Sequence, residues 1–259
     1  MIPPLASAMY PDGFNPRVLK FCAWTGLVFC LMWLTGAGPV TGWVYLPPPS
    51  AADAAVKTVT DYTNHLLWVR IGCTMMIFSS IFYTTWGMTV SMLAKKIEGD
   101  YPILFYIQAV SLAACVVIVM LIGYFWGAAS WRAGETTPAV TQALNDIGWL
   151  GVLYTGAPFA SYQIALATVT LSDRSARPVY PRWSAYLNLF VAFFMIEAAG
   201  ILFFKTGPFS QNGLFVFYIP MSAFFVWIVV FTILAQQAIS AEVKERAARR
   251  VLPVEIVNA

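Results

Sequence analysis

Six runs of apolar residues punctuate this chain, at roughly 18–37, 67–92, 102–127, 148–171, 184–204 and 213–238. Each is about as long as the ~20 residues that carry an α-helix across a bilayer. Polar and charged residues gather in the connections between the runs. The pattern predicts an all-α fold: a polytopic membrane helix bundle of six transmembrane helices, one membrane domain over 1–259, with 239–259 as a basic cytoplasmic tail.

Two connections are longer than the rest. Pro47, Pro48 and Pro49 halt the chain, and 51–65 then reads as a short helix leading into the second span. Pro138 opens a similar stretch, 139–146, before the fourth span. Proline suits a helix start because the N–H it lacks would be unpaired there. Both stretches are expected to lie along the outer interface. Of the Lys and Arg residues, 11 fall in the N-terminal segment, the 93–101 and 172–183 connections and the tail, and 4 on the other side. Positive charge is retained on the cytoplasmic side of spans, which places both termini in the cytoplasm of a bacterial inner membrane. The first run reaches Leu34 with no small-residue cleavage site after it, so it reads as a retained span and not a signal peptide.

Composition agrees with the pattern. Hydrophobic residues make up 59% and charged residues 10%, against about 25% charged in a soluble domain. The net charge of +3 suits anionic lipid headgroups and gives no basis for nucleic acid as a partner. Cys22, Cys30, Cys73 and Cys115 lie inside apolar runs without a CxxC pair, and read as packing residues. The 10 tryptophans fall mostly near span ends, where an aromatic belt is expected.

Against this apolar background Glu197 stands out. It is the one carboxylate in 187–204, a run otherwise apolar except for Asn188. An ionisable group in such a segment costs ~2.5–3.5 kcal/mol on insertion scales, so it calls for a partner or a task. It can relay a cation, anchor a ligand, act as a base, or bond helices together. Arg70, at the start of the second span, is the candidate partner, or else it snorkels to headgroups. Gln163 and Asn188 complete this ligand-binding or packing site. Small hydroxyl residues in the second span (Ser79, Ser80, Thr84, Thr85, Thr89) and the Gly123/Gly127 pair read as helix-packing surfaces.

At the outer interface Asp61 and His65, four residues apart, would share a helical face as a hydrogen-bonded pair. His65 is the only histidine, too few for zinc, copper, di-iron or bis-histidine haem, so no metal and no cofactor is predicted. Asn145 and Asp146 are expected to end the second outer helix, and Lys205 to snorkel from the Gly/Pro/Asn turn at 205–213. On the cytoplasmic side Arg174, Arg177 and Arg182 offer contacts to lipid phosphate or an acidic partner.

Two signatures flank the fifth span: Pro181-Arg182-Trp183 (PRW) before it and FFKTGPF at 203–209 after it, with Asn212-Gly213 following. On these the chain resembles uncharacterised bacterial six-helix integral membrane proteins that share both signatures. The resemblance covers most of the chain and implies the same topology. It brings no activity and assigns no functional residue.

No GxSxG, Walker loop, GxGxxG or HExxH occurs. Glu197 alone lacks the second group that acid–base chemistry needs. The expectation is a non-catalytic membrane subunit or scaffold of a larger inner-membrane assembly, with the lipid bilayer and other subunits or further copies as partners. One alternative is a carrier or binder of a small lipophilic or cationic molecule in a polar cavity around Glu197. A further alternative is an intramembrane enzyme with Glu197 as base.

Overall fold

The helix signals at the chain's first span are local and identifiable. In a computed structural model, which describes residues 13–251, the Asn15 side chain accepts from the Arg17 and Val18 amides, both at 3.2 Å. Pro16 follows at the first helical position. Together they satisfy two orphan donors and remove a third. Eight α-helices follow among the described residues: α1 (Pro16–Thr35), α2 (Ala55–Asn64), α3 (Leu66–Lys95), α4 (Ile103–Trp131), α5 (Pro138–Leu153), α6 (Ala157–Ser172), α7 (Arg182–Glu197) and α8 (Ile219–Val251). No strand is present among these residues, so the fold is all-α.

Among the described residues, five stretches are long and apolar enough to cross a membrane: Pro16–Val40, Leu66–Lys95, Ile103–Trp131, Arg182–Leu202 and Leu214–Arg249. The interval 148–171, expected as one span, is instead divided between α5 and α6. The cause is local. Pro158 in the first turn of α6 has no N–H and would clash with a helix continuing through it. The chain therefore leaves helical geometry at 154–156. The helix opened by Pro138, α5, runs unbroken to Leu153, so Asn145 and Asp146 sit inside a helix and do not end one. In the loop that follows the three prolines the helix is Ala55–Asn64, and His65 is the hinge before α3, at φ −128° and ψ 26°.

Other irregularities also have identifiable sources. A π-helical turn at Gly36–Val40 contains Pro39, which cannot donate to the ladder. The chain then reverses through Gly42 and Trp43, both left-handed with φ near +66°. At the opposite end of the bundle, the Glu98 carboxylate accepts from the Leu104 and Phe105 amides at 2.7 and 2.8 Å. A negative charge there suits the positive end of the α4 dipole.

The long helices close a ring: α1 packs on α3, α3 on α4, α4 on α6, α6 on α7, α7 on α8, and α8 returns to α1. Aromatic side chains fill the ring. Trp86 and Trp227 meet edge-on at 5.1 Å, Tyr162 meets Trp227 at 5.9 Å, and Phe29 lies 4.8 Å from Tyr83. Such tilted contacts match the positive edge of one ring to the negative face of another. Five of the tryptophans (Trp33, Trp86, Trp126, Trp149 and Trp227) are buried in this core, and Trp24, Trp43, Trp68, Trp131 and Trp183 are exposed. Only the exposed five are available to the expected belt.

Both ends of the bundle are tied across sequence-distant segments. At one end Lys96 pairs with Glu242 at 2.9 Å, and the Phe14 ring lies beneath both Lys96 and Arg246. The beginning of α1 and the later part of α8 therefore share that end. There too Asp173 accepts from the Ser175 amide and hydroxyl and from the Val179 amide. Burial pushes its carboxyl up, but these three bonds outweigh burial and hold it below the ordinary carboxylate range. At the other end Gln142 donates to the Asp53 carbonyl at 3.2 Å and Gln211 to the Pro49 carbonyl at 3.0 Å.

Candidate functional site

Glu197 is the last residue of α7, where the helix tightens into a 3-10 turn over Ala198–Leu202. It lies off the buried stripe of α7, which carries Asn188, Val191, Ala192 and Met195, and it is half-buried. Both carboxyl oxygens are nevertheless covered, and neither has a hydrogen-bond partner among the described residues. Two residues earlier, the Met195 carbonyl presses on Gly156, where even a Cβ would have no room. The break between α5 and α6 thus abuts the end of α7. Irregular backbone of this kind is tolerated at membrane depth where protein surrounds it.

Among the described residues, the four residues expected to form one polar site make no hydrogen bond to one another. Arg70 is exposed, and its Nη2 donates to the Ser130 and Trp131 carbonyls at 3.0 and 3.1 Å. The expected Arg70–Glu197 pair is therefore absent, because the α4 C-terminus has taken the guanidinium. Asn188 is fully buried, and its Oδ1 accepts from Trp227 Nε1 at 2.6 Å. Its Nδ2 has no partner among the described residues, nor has either amide atom of Gln163 or of the equally buried Gln108. Each such orphan costs about 1–3 kcal/mol unless something bonds it.

The interior between α1, α4, α6, α7 and α8 is nearly full. A cavity bordered by Phe29, Trp33, Val119, Phe159, Met195 and Phe224 has a volume of about 30 Å³, room for a few waters at most. Five hydroxyls of α3, those of Ser79, Ser80, Thr84, Thr85 and Thr89, do not bridge helices and donate to carbonyls three or four residues back in α3 itself, whereas Ser91 of α3 donates to the Tyr162 hydroxyl of α6 at 3.1 Å. Other cross-helix bonds come from elsewhere. Tyr162 donates to the Gly87 carbonyl at 2.9 Å, and Ser111 and Ser161 hydroxyls meet at 2.9 Å.

At the end of the bundle that carries the proline-rich loop, Asp61 pairs with Lys57 at 3.4 Å, and Lys57 also holds Asp53 at 2.7 Å. His65 packs beside Gly42 and makes no bond to Asp61, because the hinge takes it out of the α2 face. Burial holds the Asp146 carboxyl above its usual range, against the opposing pull of the Asn145 side chain and the Lys205 charge. Lys205 itself is exposed. At the opposite end Arg174, Arg177 and Arg182 are all exposed, and Arg177 borders a cleft of about 190 Å³ with Lys96 and Lys244. No three His, Cys, Asp or Glu side chains converge as a metal site among the described residues.

One buried constellation was not anticipated. Tyr45, from the loop after α1, donates to the Tyr62 hydroxyl at 2.9 Å, and Tyr62 donates to Asn145 Oδ1 at 3.0 Å. The Tyr45 ring lies flat on Trp126 at 4.0 Å, and Trp126 Nε1 donates to the Asn145 carbonyl at 3.3 Å. Asn145 was legible as a polar residue in an apolar stretch, but neither tyrosine carried a signal of burial. The chain matches no family model, no curated protein and no solved structure.

Proposed function

We propose that this is a bacterial inner-membrane protein of six crossings with both termini in the cytoplasm, acting as a non-catalytic subunit or scaffold of a larger membrane assembly. The topology draws support from the meeting of Phe14, Lys96, Glu242 and Arg246 at one end of the bundle. Five crossings would leave the two ends of the chain on opposite faces, and a sixth brings them together. The broken α5–α6 pair supplies it. With 16 residues, α6 rises ~24 Å, short of the ~30 Å hydrocarbon core, and the inner part of α5 makes up the difference. Exposed Arg174, Arg177 and Arg182 lie on the same side as the termini, as positive-inside sorting requires. The PRW and FFKTGPF likeness points to the same arrangement.

The observation that carries the subunit reading is the filled interior, with its aromatic core and a cavity of only about 30 Å³. A bundle without solute-sized internal space acts through its surfaces. Extraction in a mild detergent followed by native mass measurement is expected to give a particle well above the 28.6 kDa chain. A monodisperse monomer would contradict the assembly.

A carrier or binder of a small cation is the second reading, favoured by one observation: the covered Glu197 oxygens have no donor to accept from. Under that reading Glu197→Gln abolishes uptake or binding in proteoliposomes. Under the subunit reading the same substitution leaves particle mass and composition unchanged.

A further inference from the structure

Between α3 and α4, at the end of the bundle that carries the proline-rich loop, lies an open groove of about 550 Å³. That is within the ~300–1,000 Å³ typical of sites for small molecules. Thr74, Ile77 and Tyr124 line it. It is deep at Gly127, where a Cβ would meet nothing nearer than Cys73 Cβ, at 3.7 Å. Arg70 and Trp131 stand at its mouth, and both are exposed. The guanidinium carbon sits 5.9 Å from the centre of the Trp131 ring. Nη2 is bound to the two carbonyls that end α4, which holds the charge in place, while Nε and Nη1 make no hydrogen bond to the described residues. No acidic side chain lines the groove.

An apolar channel with one fixed cation at its mouth is complementary to a molecule with a long apolar tail and an anionic head. We propose that the groove seats one anionic phospholipid, its acyl chain beside Thr74, Ile77 and Gly127 and its phosphate on the free donors of Arg70. Trp131 then lies at headgroup level, where amphipathic rings are favoured. Arginine suits this position because its planar fork binds two phosphate oxygens while a third nitrogen stays on the helix end.

The test uses the full-length protein in mild detergent, with equal amounts of phosphatidylglycerol and phosphatidylcholine of the same chain length, read by native mass spectrometry. The wild type is expected to retain phosphatidylglycerol about fivefold better, the size of one basic residue's attraction to an anionic surface. Arg70→Gln is expected to erase that preference but keep the bound lipid, and Arg70→Lys to retain part of it. Gly127→Leu fills the channel from a position with room for the side chain, and is expected to lose one equivalent of either lipid. Glycerol phosphate, the head without the tail, is expected not to bind. Equal retention of the two lipids by the wild type would overturn the proposal. So would a preference that survives Arg70→Gln, lipid retention indifferent to Gly127→Leu, or tight binding of glycerol phosphate alone.

Discussion

Gly156→Ala is expected to destabilise the bundle by about 3 kcal/mol or more, the upper end of overpacking costs. The added methyl would land on the Met195 carbonyl, closer than any real Cβ approaches another heavy atom. The obstacle is backbone, so no rotamer change relieves it. Either α6 moves off α7 or the end of α7 unwinds. Both helices hold the aromatic core, α6 through Tyr162 and α7 through the Asn188–Trp227 bond. Unfolding in detergent, followed by tryptophan fluorescence against SDS mole fraction, reads the cost. Gly127→Ala is the control: its Cβ would make only an ordinary contact with Cys73 Cβ at 3.7 Å, and alanine favours helix over glycine by about 1 kcal/mol. Wild-type stability in Gly156→Ala would show that the two helices are not in contact there.

Tyr45→Ala is expected to cost about 3–5 kcal/mol, as for other large aromatic side chains removed from a core. Tyr45 has no solvent exposure, stacks on Trp126 and donates to Tyr62. It is the bolt between the proline-rich loop and the helices beneath it. Its loss leaves Tyr62 with one bond in place of two and opens space beside Trp126. Tyr45→Phe keeps the ring and removes only the hydroxyl, with an expected cost of about 1–2 kcal/mol. Limited proteolysis of inside-out and right-side-out vesicles separates a local effect from a global one. Cleavage within 41–54 is expected to rise sharply in Tyr45→Ala, and from one side only. A loop as resistant as in the wild type would remove Tyr45 from that role.

The long helices were legible because crossing a bilayer demands length and apolarity, and both are written plainly in the sequence. Which side of each helix faces inward was not legible. In water a helix advertises its buried side by a polar opposite face, but in lipid both sides are apolar. Along α4, Val110 and Val117 are exposed while Val119 and Ile122 are buried, and nothing in the residue types separates them. The same ambiguity joined Arg70 to Glu197, because the rotation of each about its helix axis is not written in the residue types. It also left the tryptophans near span ends divided evenly between surface and core. The break before α6 was written in Gly156-Ala157-Pro158, but the apolar run on both sides outweighed it. Glu197 was singled out for its charge, and its oxygens do lack partners, but the unusual backbone around it could not be foreseen from composition.

The central claim is that the bundle encloses no solute-sized space, so that the protein works at its surfaces. The native cysteines test it without engineering. Cys30, Cys73 and Cys115 are buried as free thiols, and Cys22 is half-buried. Treatment of intact membranes with a small water-soluble maleimide, followed by peptide mass mapping, is expected to leave Cys30, Cys73 and Cys115 unmodified and to confine any label to Cys22. Labelling of Cys30 or Cys115 under those conditions would mean that water reaches the middle of the bundle, and would contradict the account.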